Sequence, residues 1–192
     1  MATETRLSLG INDHGTALSA EEFAHAHYEE PWRYELVKGR LIVMEPNGDD
    51  HVRACEPIRD ALVFYKLAHR DTVLRVVSEA WIEIDDGTHR IADLAVYLKS
   101  ARSNLKIPKL VPDLVFEVVS GGGDDRKRDY VDKRAEYLQI RVKEYVILDR
   151  LQSRLTVLRR VRGRFVESHL GAEDVYTSPL LPGLKIPLNG IL

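Results

Sequence analysis

Apolar residues recur along this chain with two different periods, and the change of period predicts where helices give way to strands. Helical spacing runs through residues 19–30, 50–70 and 124–140. The first of these helices is predicted to begin at a capping box, because Ser19 and Glu22 stand three residues apart. It should end before the proline that follows.

Short apolar runs bounded by turn residues predict the strands. The runs 34–37 and 41–44 flank a Lys-Gly turn and predict a hairpin. The run 113–119 is almost wholly apolar, which is typical of a strand covered on both faces. The other predicted strands are 73–77, 80–84, 90–98, 143–148, 154–161 and 164–169.

This order of elements predicts an α/β fold with a mixed central β-sheet flanked by helices. The chain has 192 residues, enough for one domain with a sizeable core. Residues 1–16 are polar and contain two glycines, so we expect a flexible tail followed by a single domain at 17–192. The segment from residue 179 is spaced by Pro and Gly and is also interpreted as a tail.

Composition narrows the class of protein. A hydrophobic content of 44% with 30% charged residues indicates a globular protein and excludes a disordered one. No apolar run approaches the roughly 18 residues of a membrane span, and the N-terminus lacks the apolar core of a signal peptide. We therefore expect a cytoplasmic protein without a membrane partner. The formal net charge of −2 excludes nucleic-acid binding by bulk charge, but it does not exclude a nuclease.

Two acidic residues interrupt apolar strands and are the first candidates for chemistry. Asp93 lies within the run 90–98, and Glu117 lies within 113–119. Buried carboxylates are costly unless they are paired or bind a metal ion. Hard oxygen ligands of this kind suit Mg²⁺ with a substrate phosphate. The alternative is that both acids sit at strand ends and pair with Arg90 or Arg134.

Lys133 is the third candidate residue. It follows Asp129 by four residues and precedes Tyr137 by four, so the three share one face of the predicted helix. A lysine beside a metal-bound water can orient or stabilise the attacking hydroxide. The alternative is a plain helix pair between Asp129 and Lys133, and the spacing does not decide between them.

Several segments together carry a resemblance to a known family. They are YELVKGRL (34–41), His51, IADLAV (91–96), PDLVFEVVS (112–120), Asp129, Lys133, Tyr137 and KEYVILD (143–149). Taken in this order, they resemble the Uma-two family of restriction endonucleases, a branch of the PD-(D/E)xK nuclease superfamily. The resemblance covers residues 17–190.

The resemblance implies a restriction-endonuclease-like fold and hydrolysis of DNA phosphodiester bonds with Mg²⁺ or Mn²⁺. It implies Asp93 and Glu117 as metal ligands, and Glu35 as an additional glutamate that assists catalysis. Val119 stands where the superfamily has its lysine, and the resemblance implies that Lys133 takes this role. A homodimer is expected from the fold alone.

Some residues keep two interpretations. Glu35 is either part of the site or a solvated hairpin acid, and His51 is either a family position or a helix-capping histidine.

The segment 120–125 (SGGGDD) is interpreted as a flexible turn, and Ser120 has no obvious His and Asp partners for a nucleophilic triad. Cys55, the single cysteine, excludes an intramolecular disulfide and is predicted to be an ordinary buried thiol.

A cluster of arginines allows either phosphate contacts from a hairpin or a solvated antiparallel pair. Its members are Arg150, Arg154, Arg159, Arg160, Arg162 and Arg164.

Taken together, these features of the sequence predict a metal-dependent endonuclease. The alternative is a catalytically inactive nucleic-acid-binding or scaffold protein that keeps the nuclease fold, which the missing motif lysine motivates. An RNA nuclease is a weaker third reading.

Overall fold

The computed structural model describes residues 6–99, 110–121 and 123–192. The chain forms two compact units, each of which is described by itself. One contains Met1–Asn47 and Trp81–Ile91, and the other contains Gly48–Ala80 and Ala92–Leu192. The expected single domain at 17–192 stays a prediction.

The first unit is built on the predicted hairpin. Its turn needs left-handed backbone, and both Lys38 and Gly39 adopt positive φ angles, 51° and 72°. The predicted capping box is also present, since the Ser19 hydroxyl accepts from the Glu22 amide at 3.1 Å. Its elements are β1 (Ser8–Leu9), α1 (Ala20–His25), β2 (His27–Tyr28), β3 (Arg33–Val37) and β4 (Arg40–Met44).

Two predictions for the N-terminal segment differ from the structure. Residues 8 and 9 form β1, which pairs in parallel with β2, and Leu9 is buried in the core of the unit. The polar residues around Leu9 predicted a loose tail, but the leucine side chain is buried. Residues 1–5 of the expected tail lie outside the described residues. The first helix ends at His25 rather than near residue 30, because the chain turns into β2.

A buried ion pair lies in the first unit. Arg90 donates to Oε2 of Glu35 at 2.9 Å, and the Ile91 amide donates to Oε1 at 2.9 Å. Both charged side chains are almost fully buried, at 4% and 1% exposure. The interpretation of Glu35 as a solvated hairpin acid is therefore wrong, because its carboxylate is enclosed beside an arginine.

We expect Arg90→Met to lower the free energy of unfolding by about 3–5 kcal/mol, because it leaves a buried carboxylate without its cation. Denaturant unfolding measures the effect. The double variant Glu35→Gln/Arg90→Met, which removes both charges, should regain much of the loss. Equal destabilisation by the single and the double variant would contradict this explanation.

The second unit contains a mixed sheet with helices. Its strand order is β10-β9-β8-β7-β6, in which β7 and β8 run parallel and the other neighbours run antiparallel. The elements are α2 (Asp49–Ala68), β5 (Val73–Asp85), β6 (Thr88–Leu98), β7 (Leu114–Val118), α3 (Gly123–Lys127), α4 (Lys133–Gln139), β8 (Glu144–Asp149), β9 (Arg154–Val161), β10 (Arg164–Leu170), β11 (Val175–Ser178) and β12 (Leu181–Pro187). β5 and β6 pair with each other and extend into the first unit as well.

The connection between the parallel strands β7 and β8 is helical, as is usual for the crossover that parallel pairing requires. It consists of α3, a π-helical turn at Arg128–Asp132, and α4. This path matches the single helix predicted at 124–140. All five residues of β7 are buried, which confirms the strand predicted to be covered on both faces.

Two strand predictions were wrong in detail. The predicted strands 73–77 and 80–84 are one strand, β5, in which Glu79 has a positive φ of 48° and interrupts the pattern. The expected C-terminal tail from residue 179 instead contains β12, which pairs antiparallel with β11 just before it. Leu181, Leu184 and Ile186 of that hairpin are buried in the core of the second unit. None of the helices in the described ranges has the length and apolar character of a membrane-spanning helix.

Candidate active site

Asp93 and Glu117 lie next to each other on paired strands. Leu94 on β6 pairs with Phe116 on β7, and Asp93 and Glu117 are the next residue of each strand at the end of that antiparallel ladder. Residues in such positions project from the same face of a sheet. The Val118 amide donates to Oδ2 of Asp93 at 2.8 Å, and the Asp93 amide donates to Oε2 of Glu117 at 3.3 Å. The two carboxylates therefore lie next to each other, each bonded to the backbone of the neighbouring strand.

Lys133 and Tyr137 bind the same oxygen of Glu117. The Lys133 ammonium donates to Oε1 at 2.9 Å, and the Tyr137 hydroxyl donates to it at 2.8 Å. Lys133 is also 3.8 Å from Oδ1 of Asp129. Its shorter contact is with the strand glutamate, so Lys133 is more than the partner of a plain helix pair.

The helix that carries Lys133 is widened at this point. The Lys133 amide donates to the carbonyl of Arg128, five residues earlier, which defines a π-helical turn. Such turns often occur at functional sites. The turn carries Asp129, and Lys133 follows directly after it; both side chains are almost fully buried. A lysine and an aspartate thus face the two strand carboxylates from the helix.

Asp129 adds a third carboxylate. Its Oδ1 lies 3.4 Å from Nε of Arg128. Its Oδ2 is buried and has no hydrogen-bond partner among the described residues. An unsatisfied buried oxygen is costly, so this atom is available to a ligand that the protein chain itself does not supply.

The three carboxylates affect one another's protonation. Burial raises the pKa of Glu117 to about 8, with repulsion from Asp93 and Asp129 acting in the same direction and Lys133 opposing it. Burial also raises the pKa of Asp129. Burial disfavours charge on Asp93 too, but its contact with His51 and the charge of Lys133 outweigh this, and its pKa is lowered to about 2. Burial and mutual repulsion therefore favour a proton on Glu117 near neutral pH, whereas Asp93 stays charged.

The arginine alternative can be compared with the observed pairs. Arg90 pairs with Glu35, as described above, and Arg134 pairs with Glu167 at 2.6 Å. The charged partner of Glu117 is Lys133. Glu117 is therefore not the partner of Arg134 that the alternative required.

A family model described as "Putative restriction endonuclease", Uma2, matches residues 20–189. The chain belongs to the Uma2 family. A solved structure titled a "putative nuclease belonging to DUF820", from Anabaena variabilis, is similar with a TM-score of 0.71 and 14% identity. The match covers 91% of this chain and 97% of that chain. No protein of curated function matches the sequence.

These comparisons confirm the predicted family and the predicted α/β fold with a mixed central sheet. At 14% identity, the structural likeness concerns the fold alone. Membership of Uma2 supports a nuclease and hence a hydrolase. Val119 is buried in this Uma2 chain, at 7% exposure, whereas Lys133 reaches Glu117 from the helix.

His51 has a position that sequence reasoning did not assign. The cap of α2 is Gly48, and His51 lies in the first turn, so it is not a helix-capping residue. Its Nε2 is 3.0 Å from Oδ1 of Asp93, and its Nδ1 is 3.2 Å from the hydroxyl of Ser120. The statement that Ser120 lacks His and Asp partners was therefore wrong. Sixty-nine residues separate Ser120 from His51, and their proximity arises only from the fold.

The Ser120, His51 and Asp93 arrangement differs from a hydrolytic triad. In the serine-protease template, Nε2 faces the serine and Nδ1 faces the aspartate. In the Uma2 chain the two ring nitrogens have the opposite partners. Ser120 is better described as a residue that orients the imidazole ring than as a nucleophile.

Sequence reasoning also left two site residues without a role. Tyr137 was placed on the face of Lys133, but its hydrogen bond to Glu117 was not foreseen. Asp129 was considered only as a helix partner, although its carboxylate is buried beside Lys133. The signal for both was their four-residue spacing around Lys133 on a helix that follows an acidic strand.

Proposed function

We propose that this Uma2 protein is a metal-dependent endonuclease that hydrolyses DNA phosphodiester bonds. The observation that carries the proposal is the contact of Lys133 with Glu117, at 2.9 Å, directly beside Asp93 on the neighbouring strand. Two acids and one lysine are thereby gathered from two strands and the following helix.

The residues present fit a divalent cation. Asp93 and Glu117 provide hard oxygen donors, which Mg²⁺ and Mn²⁺ prefer. Oδ2 of Asp129 is buried without a hydrogen-bond partner among the described residues, and repulsion from Asp93 and Asp129 adds to the effect of burial in raising the pKa of Glu117. A bound cation would relieve that repulsion. A Mg²⁺ or Mn²⁺ ion held by Asp93 and Glu117 would polarise the phosphate and activate a water molecule.

The remaining residues position the reacting groups. Lys133 is proposed to orient and stabilise the attacking water through its ammonium group, which already lies within hydrogen-bond distance of Glu117. Tyr137 fixes the Glu117 carboxylate from the same side. Glu35 is paired with the guanidinium of Arg90 and accepts from the Ile91 amide; its assistance to catalysis stays a prediction.

DNA as the substrate is the proposal that the family description supports. Part of the arginine cluster is engaged within the protein: Arg150 donates to the Asp50 carbonyl, Arg159 to the Thr177 carbonyl and Arg160 to the Leu138 carbonyl. Arg162 and Arg164, at the tip between β9 and β10, are exposed and suit phosphate contacts. The homodimer stays a prediction from the fold alone.

The test is cleavage of supercoiled plasmid DNA with Mg²⁺ or Mn²⁺ by the wild type and by Glu117→Gln. We expect the variant to lose at least about 100-fold in rate, because losing even an outer-shell partner of a metal ligand typically costs 10–100-fold. Glu144→Gln is the matched control, since Glu144 is equally buried but bonds Tyr176 and Ser178 instead. Competition with RNA separates the two classes of nucleic acid. Equal cutting by the wild type and Glu117→Gln would refute the proposal.

The second candidate is an inactive protein that retains the fold. The buried valine at the motif lysine position is the observation that favours it. Calorimetric titration with Mg²⁺ and Mn²⁺ distinguishes the two candidates. A folded protein with no saturable binding of either ion would support the inactive scaffold.

A further inference from the structure

Nε2 of His51 is a buried ring nitrogen and a candidate metal ligand. The side chain is 9% exposed, and Nε2 has no aligned hydrogen bond among the described residues. Nε2 nevertheless lies 3.0 Å from Oδ1 of Asp93. Two ligand atoms about 2.0–2.1 Å from one tetrahedral metal ion are about 3.3–3.4 Å apart. The imidazole nitrogen and the carboxylate oxygen are slightly closer than this, so they need to separate only a little to bind one ion.

The other ring nitrogen, Nδ1, contacts Ser120, and this contact fixes the orientation of the imidazole ring. Nδ1 of His51 and the Ser120 hydroxyl are 3.2 Å apart. Metal-binding histidines regularly use their second nitrogen in this way, because the outer hydrogen bond sets the tautomer and the ring orientation. Ser120 thus keeps Nε2 directed at Asp93.

Cys55 lies one helical turn after His51 on α2, so both side chains lie on the same face. The ligand atoms of His51, Cys55 and Asp93 lie within 4.8 Å of one another. All three reach one ion only if the Cys55 side chain moves closer to the other two ligand atoms. The set then contains one nitrogen, one sulfur and one oxygen.

We propose that His51, Cys55 and Asp93 form a site for a transition-metal ion of the Co²⁺ or Zn²⁺ class, in preference to Mg²⁺. This inference rests on the proposed function, because it shares Asp93 with the nuclease site. Thiolate and imidazole suit softer ions, whereas Mg²⁺ demands oxygen ligands. Three protein ligands leave the fourth position open, as in catalytic zinc sites.

The first measurement is calorimetric titration of the wild type with Co²⁺, Zn²⁺ and Mg²⁺. We expect Co²⁺ and Zn²⁺ to bind at least about 100-fold more tightly than Mg²⁺. His51→Gln should lose at least about 10-fold in Co²⁺ affinity. The matched control is His27→Gln, at an exposed histidine of the first unit, which should bind like the wild type.

The second measurement is the absorption spectrum of the Co²⁺ form, which is independent of cleavage. A thiolate-to-cobalt band in the near ultraviolet is expected in the wild type and should be lost in Cys55→Ser. Absence of that band in the wild type, or unchanged Co²⁺ affinity in His51→Gln, overturns the inference. Circular dichroism of each variant shows that the fold is retained.

The outcomes separate this inference from the proposed function. Cleavage that depends on Mg²⁺ and on Glu117, with no effect of His51→Gln on Co²⁺ binding, leaves the nuclease standing and overturns the transition-metal site. Binding of Co²⁺ through His51 and Cys55 without cleavage of DNA supports the transition-metal site and overturns the nuclease. Failure of all divalent ions to bind overturns both.

Discussion

Asp93→Asn is expected to reduce metal-dependent DNA cleavage by at least about 100-fold. The carboxylate is a proposed metal ligand, and an amide oxygen without charge replaces it poorly. Asparagine keeps the shape and an acceptor for the Val118 amide, which now donates to Oδ2 at 2.8 Å. Loss of activity should therefore come with a preserved fold.

The measurement is the rate of plasmid cleavage at saturating Mn²⁺, combined with thermal unfolding of the metal-free protein. A second readout follows from electrostatics. The charge of Asp93 raises the pKa of Glu117, so Asp93→Asn should lower that pKa from its value of about 8. A carboxyl-carbon NMR titration follows this shift. Cleavage at the wild-type rate by a folded Asp93→Asn protein would rule out the proposed role.

The strand carboxylates could be predicted because the strand pattern reports on burial. A charged residue inside an apolar run is conspicuous in any sequence, and both Asp93 and Glu117 proved to be almost fully buried. Their pairing could only be expected, since it depends on the register between β6 and β7. That register is fixed by the packing of whole strands rather than by the two residues themselves.

His51 and Ser120 show where this reasoning stops. Their contact joins the start of α2 to the end of β7, and neither residue breaks a local pattern. A histidine near a helix start is equally compatible with a cap, so its meaning depends on the strand that packs beside it. Long-range contacts of this kind arise from the topology, which a single sequence does not display.

The C-terminal hairpin was missed for a different reason. Its Pro and Gly residues indicate turns, and they obscured the apolar alternation of β12. In the structure, Tyr176 and Ser178 donate to the buried carboxylate of Glu144, at 2.7 Å and 3.0 Å. Glu144, a buried residue on β8, therefore holds the hairpin through these hydrogen bonds. From the sequence alone, Glu144 could not be distinguished from a surface acid.

Lys133→Met is expected to lower the rate of cleavage by about 100- to 1,000-fold, the range typical of losing one donor that stabilises charge developing in the transition state. Methionine keeps the length and the apolar stem of the lysine, so it removes the ammonium group with little change in packing. Metal binding should persist, because Asp93 and Glu117 remain. The measurement is single-turnover cleavage beside calorimetric titration with Mn²⁺.

Tyr137→Phe is the matched control for Lys133→Met, because the tyrosine and the lysine donate to the same Oε1 of Glu117. If the lysine only held the glutamate in place, the two variants would lose similar amounts of activity. If its ammonium group acts on the attacking water, the lysine variant must be far more impaired while both variants still bind metal. Equal, modest losses would therefore assign Lys133 to positioning Glu117 and remove it from the chemistry.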